Sequence, residues 1–206
     1  MDRIILVGGG GHCKSCIDVI EQEGKYKIEG IVDPNEEVGH KILGYPVLGS
    51  DDDLPKLIDK FKNVLITVGQ IKSAGLRIKL YKLAKSLGAE FPVIVSPNAY
   101  VSTYAKIEEG TIVMHHVVVN SEAQIGINNI INTKALVEHE VQIGDHNHIS
   151  TGTRINGQVK IADECFIGSG ATLANNIILT EKVIVPAGKT VYKDIVKSGI
   201  YINKKK

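Results

Sequence analysis

A six-residue period runs through the second half of the chain. Val, Ile or Leu occupies every sixth position without exception, at 95, 101, 107, 113, 119, 125, 131, 137, 143, 149, 155, 161, 167, 173, 179, 185 and 191. An amphipathic helix would repeat its apolar residues after three and four positions, and a half-buried single strand after two. A stack of short strands explains the period of six residues, because each strand buries its aliphatic face only against neighbouring turns of the chain. The period therefore predicts a hexapeptide-repeat β-solenoid.

Residues near each aliphatic position fit such a stack. Two positions before it the side chains are mostly small, as at Ala99 and Ala123, which allows the wall to turn a corner. The pattern resembles the left-handed β-helix, in which three hexapeptides make a triangular coil of about eighteen residues. Stacked neighbours then differ by eighteen positions, and Asn129 and Asn147 obey this spacing. They are predicted to form an asparagine ladder inside the solenoid.

Composition places few other limits on function. A chain of 206 residues can hold one large or two small domains. The net charge of +1 gives no reason to expect nucleic acid or a membrane surface as a partner, and we interpret Lys204, Lys205 and Lys206 as a solvated tail. Because no apolar run could span a bilayer and the N-terminus runs into a strand rather than a signal peptide, we expect a cytoplasmic protein without membrane insertion.

The three cysteines do not suggest a disulfide framework. Cys13 and Cys16 have the Cys-x-x-Cys spacing of a redox pair, just after a glycine loop. The same spacing puts both on one helix face, where they would pack as small apolar side chains. We favour this second interpretation.

The first ninety-five residues predict a Rossmann-like unit of parallel strands and helices. Ile4–Val7 form an apolar run that ends at four successive glycines, Gly8–Gly11, and is followed by residues with helical spacing. Further strands end on Asp33 and at Gly69. The carboxyl ends of parallel strands share one edge of the sheet, where ligands of open α/β sheets bind, so we expect Gly10, Asp33 and Gly69 to line a site.

The glycine loop does not determine which ligand this unit binds. In dinucleotide-binding units an acidic residue about twenty positions after the glycines holds a ribose hydroxyl, which is the place of Asp33. The third glycine of the fingerprint would fall on Cys13, so a nucleotide-sugar fits as well as NAD. A structural turn without a ligand is the remaining alternative.

A polar triplet, Glu138–Glu140, interrupts one wall of the solenoid. His139 could remove a proton from an amine or hydroxyl that attacks a thioester, and either neighbouring glutamate could orient its ring. Gly157 follows His139 by eighteen positions, so it should lie one coil above, where its N–H could stabilise an oxyanion. His148 follows by nine, half a coil away. Because solenoid enzymes of this kind are usually trimers, we expect the active site in a cleft between subunits.

An ordered set of motifs resembles one family over nearly the whole chain, the left-handed β-helix sugar acetyltransferases with an N-terminal nucleotide-sugar domain. The family includes UDP-4-amino-sugar N-acetyltransferases of the bacillosamine pathway, perosamine N-acetyltransferases and sialic acid O-acetyltransferases. The motifs are Gly8–His12, Val32–Asp33, Gly44–Gly49, Val68–Gly69, Asn132–Thr133, Glu138–Glu140, Ile143–Gly144, His148–Ser150 and Asn156–Gly157.

The resemblance implies roles for individual residues. His139 would be the general base, and Glu140 would raise its basicity. Contacts with acetyl-CoA are implied for His148, Ser169 and Ala187. Contacts with the nucleotide-sugar are implied for Gly10, Gly11, His12, Asp33 and Gly69. The implied domains are a Rossmann-like nucleotide-sugar-binding domain at residues 1–95 and a left-handed parallel β-helix at residues 96–206.

The function predicted from these observations is acetyl-CoA-dependent N-acetylation of the amine of a UDP-4-amino-dideoxysugar in bacterial glycan biosynthesis. The enzyme is expected to be a homotrimer and to need no metal. O-acetylation of sialic acid or a related nonulosonic acid is the nearest alternative. A trimeric β-helix carbonic anhydrase would need zinc on histidines such as His139, His146 and His148. A scaffold without catalytic activity is the last alternative.

Overall fold

The protein forms two compact units in a computed structural model that describes residues 1–202. Residues 1–69 and 75–97 form the first unit, and residues 70–74 join the chain from residue 98 onward in the second. The predicted lysine tail at residues 204–206 lies outside the described residues. Within residues 1–202, no helix is long and apolar enough to cross a membrane.

The first unit is built on a five-stranded sheet with the order β3-β4-β2-β1-β5. All neighbouring strands are parallel except β3 and β4, which form a hairpin. In chain order the elements are β1 (Asp2–Val7), α1 (Gly11–Glu23), β2 (Tyr26–Val32), β3 (Lys41–Ile42), β4 (Tyr45–Gly49), a 3-10 turn (Asp51–Asp53), α2 (Leu54–Phe61), β5 (Asn63–Ile66), α3 (Gly75–Ser86) and β6 (Ile94–Val95).

The first strand and the first helix form the buried core of this unit. Ile4–Val7 are at most 1% exposed, as expected for a central parallel strand covered on both faces. Helix α1 ends at Gly24, whose left-handed backbone (φ 68°) lets its N–H bond to the carbonyl of Ile20. Cys13 and Cys16 are free and fully buried on α1, and burial raises the pKa of Cys13 to about 11. Both cysteines therefore act as packed, protonated thiols.

The second unit is a left-handed parallel β-helix with three walls. The first wall contains Tyr100–Val101, Val118–Val119, Leu136–Val137, Arg154–Ile155, Thr172–Leu173 and Thr190–Val191. The second wall contains Lys106–Ile107, Gln124–Ile125, Gln142–Ile143, Lys160–Ile161 and Ile178–Leu179. The third wall contains Ile112–Val113, Ile130–Ile131, His148–Ile149, Phe166–Ile167, Val183–Val185 and Gly199–Ile200. We call the corners between them the 1/2 edge, the 2/3 edge and the 3/1 edge.

Every corner uses the same backbone conformation. From residue 110 to residue 188, each sixth residue has a left-handed φ between 51° and 69°. L-residues pay of the order of 1 kcal/mol for this conformation, and only glycine avoids the cost. Stacking offsets this conformational cost, because the N–H of a corner residue donates a hydrogen bond to a carbonyl of the coil below. The N–H of Gln158, for example, donates to the carbonyl oxygen of His139 at 3.0 Å. Only four of these corner residues are glycines: Gly110, Gly152, Gly170 and Gly188.

A ladder of polar side chains inside the solenoid locks this stacking in register. The Oδ1 atom of Asn129 accepts the N–H of Asn147 at 2.7 Å, and the Oδ1 atom of Asn147 accepts the N–H of Cys165 at 2.7 Å. Thr111 begins the ladder, since its hydroxyl accepts the N–H of Asn129 at 3.0 Å. All four residues are fully buried. The predicted asparagine ladder is confirmed and extends one coil further in each direction.

This ladder predicts a specific difference between two variants of Asn129. Asn129→Thr keeps an oxygen acceptor, as Thr111 does in the coil below, whereas Asn129→Val leaves the buried N–H of Asn147 without one. We expect the valine variant to be less stable than the threonine variant by about 1–3 kcal/mol in chemical unfolding. The exposed Asn175→Ala is the control, expected to change stability by less than about 0.5 kcal/mol. Equal stability of the two Asn129 variants would contradict the ladder.

Candidate active site

His139 and Glu140 lie side by side on the 1/2 edge, just after the first-wall strand Leu136–Val137. The imidazole Nδ1 is 3.1 Å from Oε2 of Glu140, and the two side chains are 54% and 45% exposed. Because a carboxylate can only accept, Nδ1 carries the proton in the neutral ring. The lone pair is then on Nε2, and this nitrogen is available to take a proton from a bound molecule.

The other glutamate of the triplet has a different partner. Oε2 of Glu138 accepts a hydrogen bond at 2.9 Å from Nδ2 of Asn120, which lies one coil below. Glu138 directly follows the first-wall strand Leu136–Val137 and is half-buried, one residue before His139. The geometry therefore pairs Glu140, and not Glu138, with the imidazole, a choice that sequence spacing alone leaves open.

Gly157 lies one coil above His139, where the spacing of eighteen residues predicts it. A Cβ atom at Gly157 would lie 2.7 Å from both Cε1 and Nε2 of the imidazole. The φ of Gly157 is not in the left-handed range, so the backbone itself does not demand glycine. Glycine is required here because the imidazole of His139 occupies the volume that a side chain at residue 157 would fill.

The backbone N–H of Gly157 differs from its counterparts on the 2/3 edge. There, Oδ1 of Asp145 accepts the N–H of Ile127, and Oδ1 of Asp163 accepts the N–H of Asp145, both at 2.8 Å. On the 1/2 edge, no residue between 1 and 202 accepts the N–H of Gly157. This donor remains available for an oxygen atom, as an oxyanion site requires.

Gln158 joins the pair from the coil above. Its Nε2 donates to Oε2 of Glu140 at 3.0 Å, the same oxygen that His139 contacts. The hydrogen bonds from Gln158 and from His139 hold the pKa of the Glu140 carboxyl below its ordinary value, so this carboxyl is anionic. Beside the pair lies a groove of about 370 Å³, lined by Glu140, Gln142, Gln158, Lys160, Asn176 and Ile178.

Two predicted coenzyme residues, Ser169 and Ala187, lie on the 3/1 edge. The hydroxyl of Ser169 is 2.9 Å from that of Ser150. Gly170 and Gly188 follow them at the corner, and a Cβ atom on either glycine would meet no atom of residues 1–202 within 4 Å, so the backbone is open there. The 3/1 edge and the 1/2 edge lie at opposite ends of the first wall, and one chain therefore keeps these residues apart from His139.

His148 lies on the third wall and is 8% exposed. Its Nδ1 is 2.7 Å from the carbonyl oxygen of Gln70, to which it donates, and its Nε2 accepts from Nδ2 of Asn132 at 3.1 Å. Both ring nitrogens thus have partners within the solenoid unit. The contact with acetyl-CoA that the resemblance implies for His148 stays a prediction, and a hydrogen bond to the coenzyme would have to replace one of these two.

The three histidines of the carbonic anhydrase alternative do not come together in one chain. His139 is on the 1/2 edge, His148 is on the third wall, and His146 is on the 2/3 edge, where its Nδ1 is 3.0 Å from Nδ2 of Asn128. Within residues 1–202, no group of three or more His, Cys, Asp or Glu side chains could hold a metal.

In the first unit the glycine loop follows β1, and Asp33 follows the neighbouring strand β2. Oδ2 of Asp33 accepts the N–H of Gly9 at 2.6 Å, and Oδ1 accepts the N–H of Asn35 at 2.8 Å. Asp33 therefore links the ends of the two strands. A ribose hydroxyl would have to share these oxygens.

Gly10 and Gly11 open helix α1 without any internal reason to be glycine. Neither has a left-handed φ, and a Cβ on either would meet no atom of the described part of the chain within 4 Å. Among residues 1–202, no side chain caps this helix, whose first N–H groups and positive dipole end suit an anion such as a phosphate. His12 is in the first turn, and its Cβ is 3.6 Å from the Cβ position of Gly69, which follows the adjacent strand β5. The edge thus brings together all five predicted substrate residues.

Sequence reasoning missed two residues around these sites. One is Gln158, although it follows Glu140 by the same eighteen positions that connect His139 with Gly157. The other is Gln70, whose carbonyl accepts the hydrogen bond of His148 across 78 residues of sequence. The first could have been found from the coil spacing, whereas no pattern in the sequence points to the second.

The geometry around Gly157 predicts the effect of a single methyl group. Gly157→Ala should displace the imidazole from its place beside Glu140 while changing stability by less than about 1 kcal/mol, because the φ of this residue suits alanine. Imidazole ¹⁵N chemical shifts should show one Nδ1–H tautomer in the wild type and a mixture in the variant. Gly24→Ala, which adds strain at the end of α1 but no contact, is the matched control. An unchanged tautomer in Gly157→Ala would contradict this packing.

Comparisons with known proteins agree with the fold. The family model of the PglD N-terminal domain matches residues 3–82. A comparison with curated protein sequences found no match. Among solved structures, PerB from Caulobacter crescentus in complex with CoA and GDP-perosamine is 30% identical, with a TM-score of 0.90 over 97% of this chain and 93% of PerB.

Two further structures extend the comparison. One is a variant of perosamine N-acetyltransferase from Caulobacter crescentus with one histidine replaced by asparagine, again with CoA and GDP-perosamine. It is 28% identical, with a TM-score of 0.89 over 98% of this chain and 94% of that chain. The other is the acetyltransferase domain of PglB from Neisseria gonorrhoeae with acetyl coenzyme A, 29% identical, with a TM-score of 0.86 over 94% and 92%. The chain therefore belongs to the family of acetyl-CoA-dependent, left-handed β-helix sugar N-acetyltransferases.

Proposed function

We propose that the protein transfers the acetyl group of acetyl-CoA to the amine of a UDP-linked 4-amino-dideoxysugar in bacterial glycan biosynthesis. The observation that carries this proposal is the imidazole of His139, with Nδ1 held 3.1 Å from Glu140 and Nε2 packed beside Gly157. An amine that bonds to a thioester carbonyl must lose a proton to a base of this kind. The complex of perosamine N-acetyltransferase with CoA and GDP-perosamine supports an amino-sugar acceptor.

The proposed reaction uses three groups of the 1/2 edge. The amine nitrogen attacks the thioester carbonyl carbon, and its proton passes to Nε2 of His139. Glu140 stabilises the resulting imidazolium through Nδ1–H, and the N–H of Gly157 stabilises the negative charge on the carbonyl oxygen. The C–S bond then breaks, and the CoA thiolate takes the proton from His139. The products are the N-acetylated sugar and CoA with a free thiol.

We place the diphosphate of the acceptor at the start of helix α1. Gly10 and Gly11 leave this helix end open, and its N–H groups suit a phosphate. His12, Asp33 and Gly69 surround the same edge of the sheet and would contact the rest of the nucleotide-sugar. We expect the nucleotide of the acceptor to be UDP, whereas the complexes with Caulobacter proteins contain GDP-perosamine. An assay with both nucleotides distinguishes the two.

We place acetyl-CoA along the 3/1 edge, against Ser169 and Ala187, with His148 at the neighbouring wall. The open backbone beside Gly170 and Gly188 supports this location. Within one chain the first wall separates this edge from His139. We therefore propose a homotrimer in which the 1/2 edge of one subunit meets the 3/1 edge of its neighbour, so that each active site lies between two subunits.

O-acetylation of a sialic or related nonulosonic acid is not favoured. The substrate named for the structurally similar Caulobacter enzyme is an amino sugar, and that enzyme is an N-acetyltransferase. Three free and buried cysteines support a reducing compartment, and we accordingly propose a cytoplasmic location.

The proposal predicts release of CoA thiol when the protein is incubated with acetyl-CoA and a nucleotide-linked 4-amino sugar. His139→Ala should lower kcat/KM by about 10²–10⁴-fold, because the general base is lost. His40→Ala removes an exposed histidine of the first unit and should leave turnover unchanged. UDP- and GDP-linked amino sugars and free sialic acid are compared in the same assay, and the acetylated product is located by NMR. Turnover with sialic acid alone would overturn the proposal.

The inter-subunit site predicts complementation between two inactive variants. Ala187→Arg should block the 3/1 edge, and His139→Ala disables the 1/2 edge. Co-expressed with different tags and purified as mixed oligomers, the two should recover up to about one third of the wild-type activity, since one of the three sites in each mixed trimer combines two intact edges. Sedimentation of the wild type should give a trimer. A trimer without any recovery would place both edges of each site in one chain.

A further inference from the structure

We infer that Gln158 is a positioning residue, which holds the Glu140 carboxylate in the orientation that presents His139 as a base. The inference rests on the proposed acetyl transfer but concerns a residue outside the Glu-His-Glu triplet. The side chain of Gln158 donates its hydrogen bond to Glu140. Its role is to act on His139 through Glu140.

Gln158 reaches the pair by two separate hydrogen bonds. Its backbone N–H donates to the carbonyl oxygen of His139 at 3.0 Å, and its side-chain Nε2 donates to Oε2 of Glu140 at 3.0 Å. The same Oε2 faces Nδ1 of His139 at 3.1 Å. Gln158 therefore binds both members of the pair in the coil below, His139 through its main chain and Glu140 through its side chain.

The pair needs such a support because it lies on the surface of the chain. His139 and Glu140 are 54% and 45% exposed, and exposed ion pairs hold their geometry weakly against solvent and side-chain entropy. A second hydrogen bond to the same carboxylate oxygen restricts the rotamer of Glu140. The carboxylate then accepts from Nδ1–H of His139, and the lone pair remains on Nε2.

The corner position of Gln158 places its side-chain amide directly above Glu140. Gln158 occupies the left-handed corner position with φ 63°, where glycine would be less strained. On the 3/1 edge the corresponding positions at the same height are glycines, Gly152 and Gly170. The 1/2 edge instead carries a polar side chain with an amide donor directly above Glu140.

Gln158 also keeps the local charge suitable for a base. A neutral amide stabilises the Glu140 anion without adding charge, and its hydrogen bond is the largest cause of the lowered pKa of this carboxyl. Charged groups near the pair include Lys160 in the adjoining groove, Glu122 at the corner one coil below Glu140, and Glu138, which is bound to Asn120. A carboxylate at residue 158 would add a negative charge to this set.

Two variants of Gln158 test the inference through kinetics. Gln158→Ala should lower kcat about three- to tenfold while the KM values for acetyl-CoA and the amino sugar stay within about twofold, since the orientation of the base is lost but binding is not. Gln158→Glu should move the acidic limb of kcat/KM to higher pH by about 0.5 units or more, because an added negative charge favours the imidazolium form. Lys182→Ala removes a side chain from an equivalent corner of the 2/3 edge and controls for strain.

A spectroscopic measurement separates this inference from the proposed reaction. Imidazole ¹⁵N shifts should report a fixed Nδ1–H tautomer of His139 in the wild type and in Lys182→Ala, and a mixture of tautomers in Gln158→Ala. This readout needs no turnover, so it tests Gln158 even if no acceptor is acetylated. Failure of the proposed function would appear as absence of thiol release by the wild type. A fixed tautomer in Gln158→Ala, with an unshifted acidic limb in Gln158→Glu, would overturn the role of Gln158.

Discussion

Parallel pairing between residues eighteen positions apart organises both the core and the active edge of the second unit. Each two-residue strand is too short to be stable alone, and it gains its hydrogen bonds and apolar contacts only from the coils above and below, as Leu136 does between Val118 and Arg154. The buried ladder through Asn129 and Asn147 adds a polar constraint, because any slip would leave buried N–H groups without acceptors. Chemistry on the surface depends on this register, since His139 meets Gly157 and Gln158 only through it.

The three edges share a backbone and differ in what they place on it. On the 2/3 edge, carboxylates such as that of Asp145 accept the N–H groups of the residues just before the corner positions, so these donors are already used. In its upper coils, from residue 151 onward, the 3/1 edge carries glycines and small residues and presents bare backbone. On the 1/2 edge, Gly157 removes the side chain that would fill the corner, and the imidazole of His139 enters that space. A solenoid thus acquires a reactive position by omitting one side chain and enlarging the one below it.

The predictable part of this structure is the part that follows from spacing. The strict period predicts the solenoid, and the resemblance to the left-handed β-helix adds its three walls and the interval of eighteen. That interval predicts both the asparagine ladder and the place of Gly157. Spacing could not separate Glu138 from Glu140, because that choice depends on which way each side chain leaves the corner and on Asn120 below. Nor could it indicate that residues 70–74 join the solenoid unit, since the hydrogen bond between His148 and Gln70 connects distant parts of the sequence.

The exposure of the catalytic pair explains why one chain is an incomplete enzyme in our proposal. A carboxylate about half exposed interacts with an imidazole through a medium of high effective dielectric constant, so the attraction is weak and screened by salt. The same holds for the free N–H of Gly157, which stabilises an oxyanion strongly only where water is excluded. Gln158 supplies order but cannot supply desolvation. A neighbouring subunit that covers the 1/2 edge would exclude water from it. The need to exclude water therefore supports the proposed inter-subunit site independently of the resemblance to the acetyltransferase family.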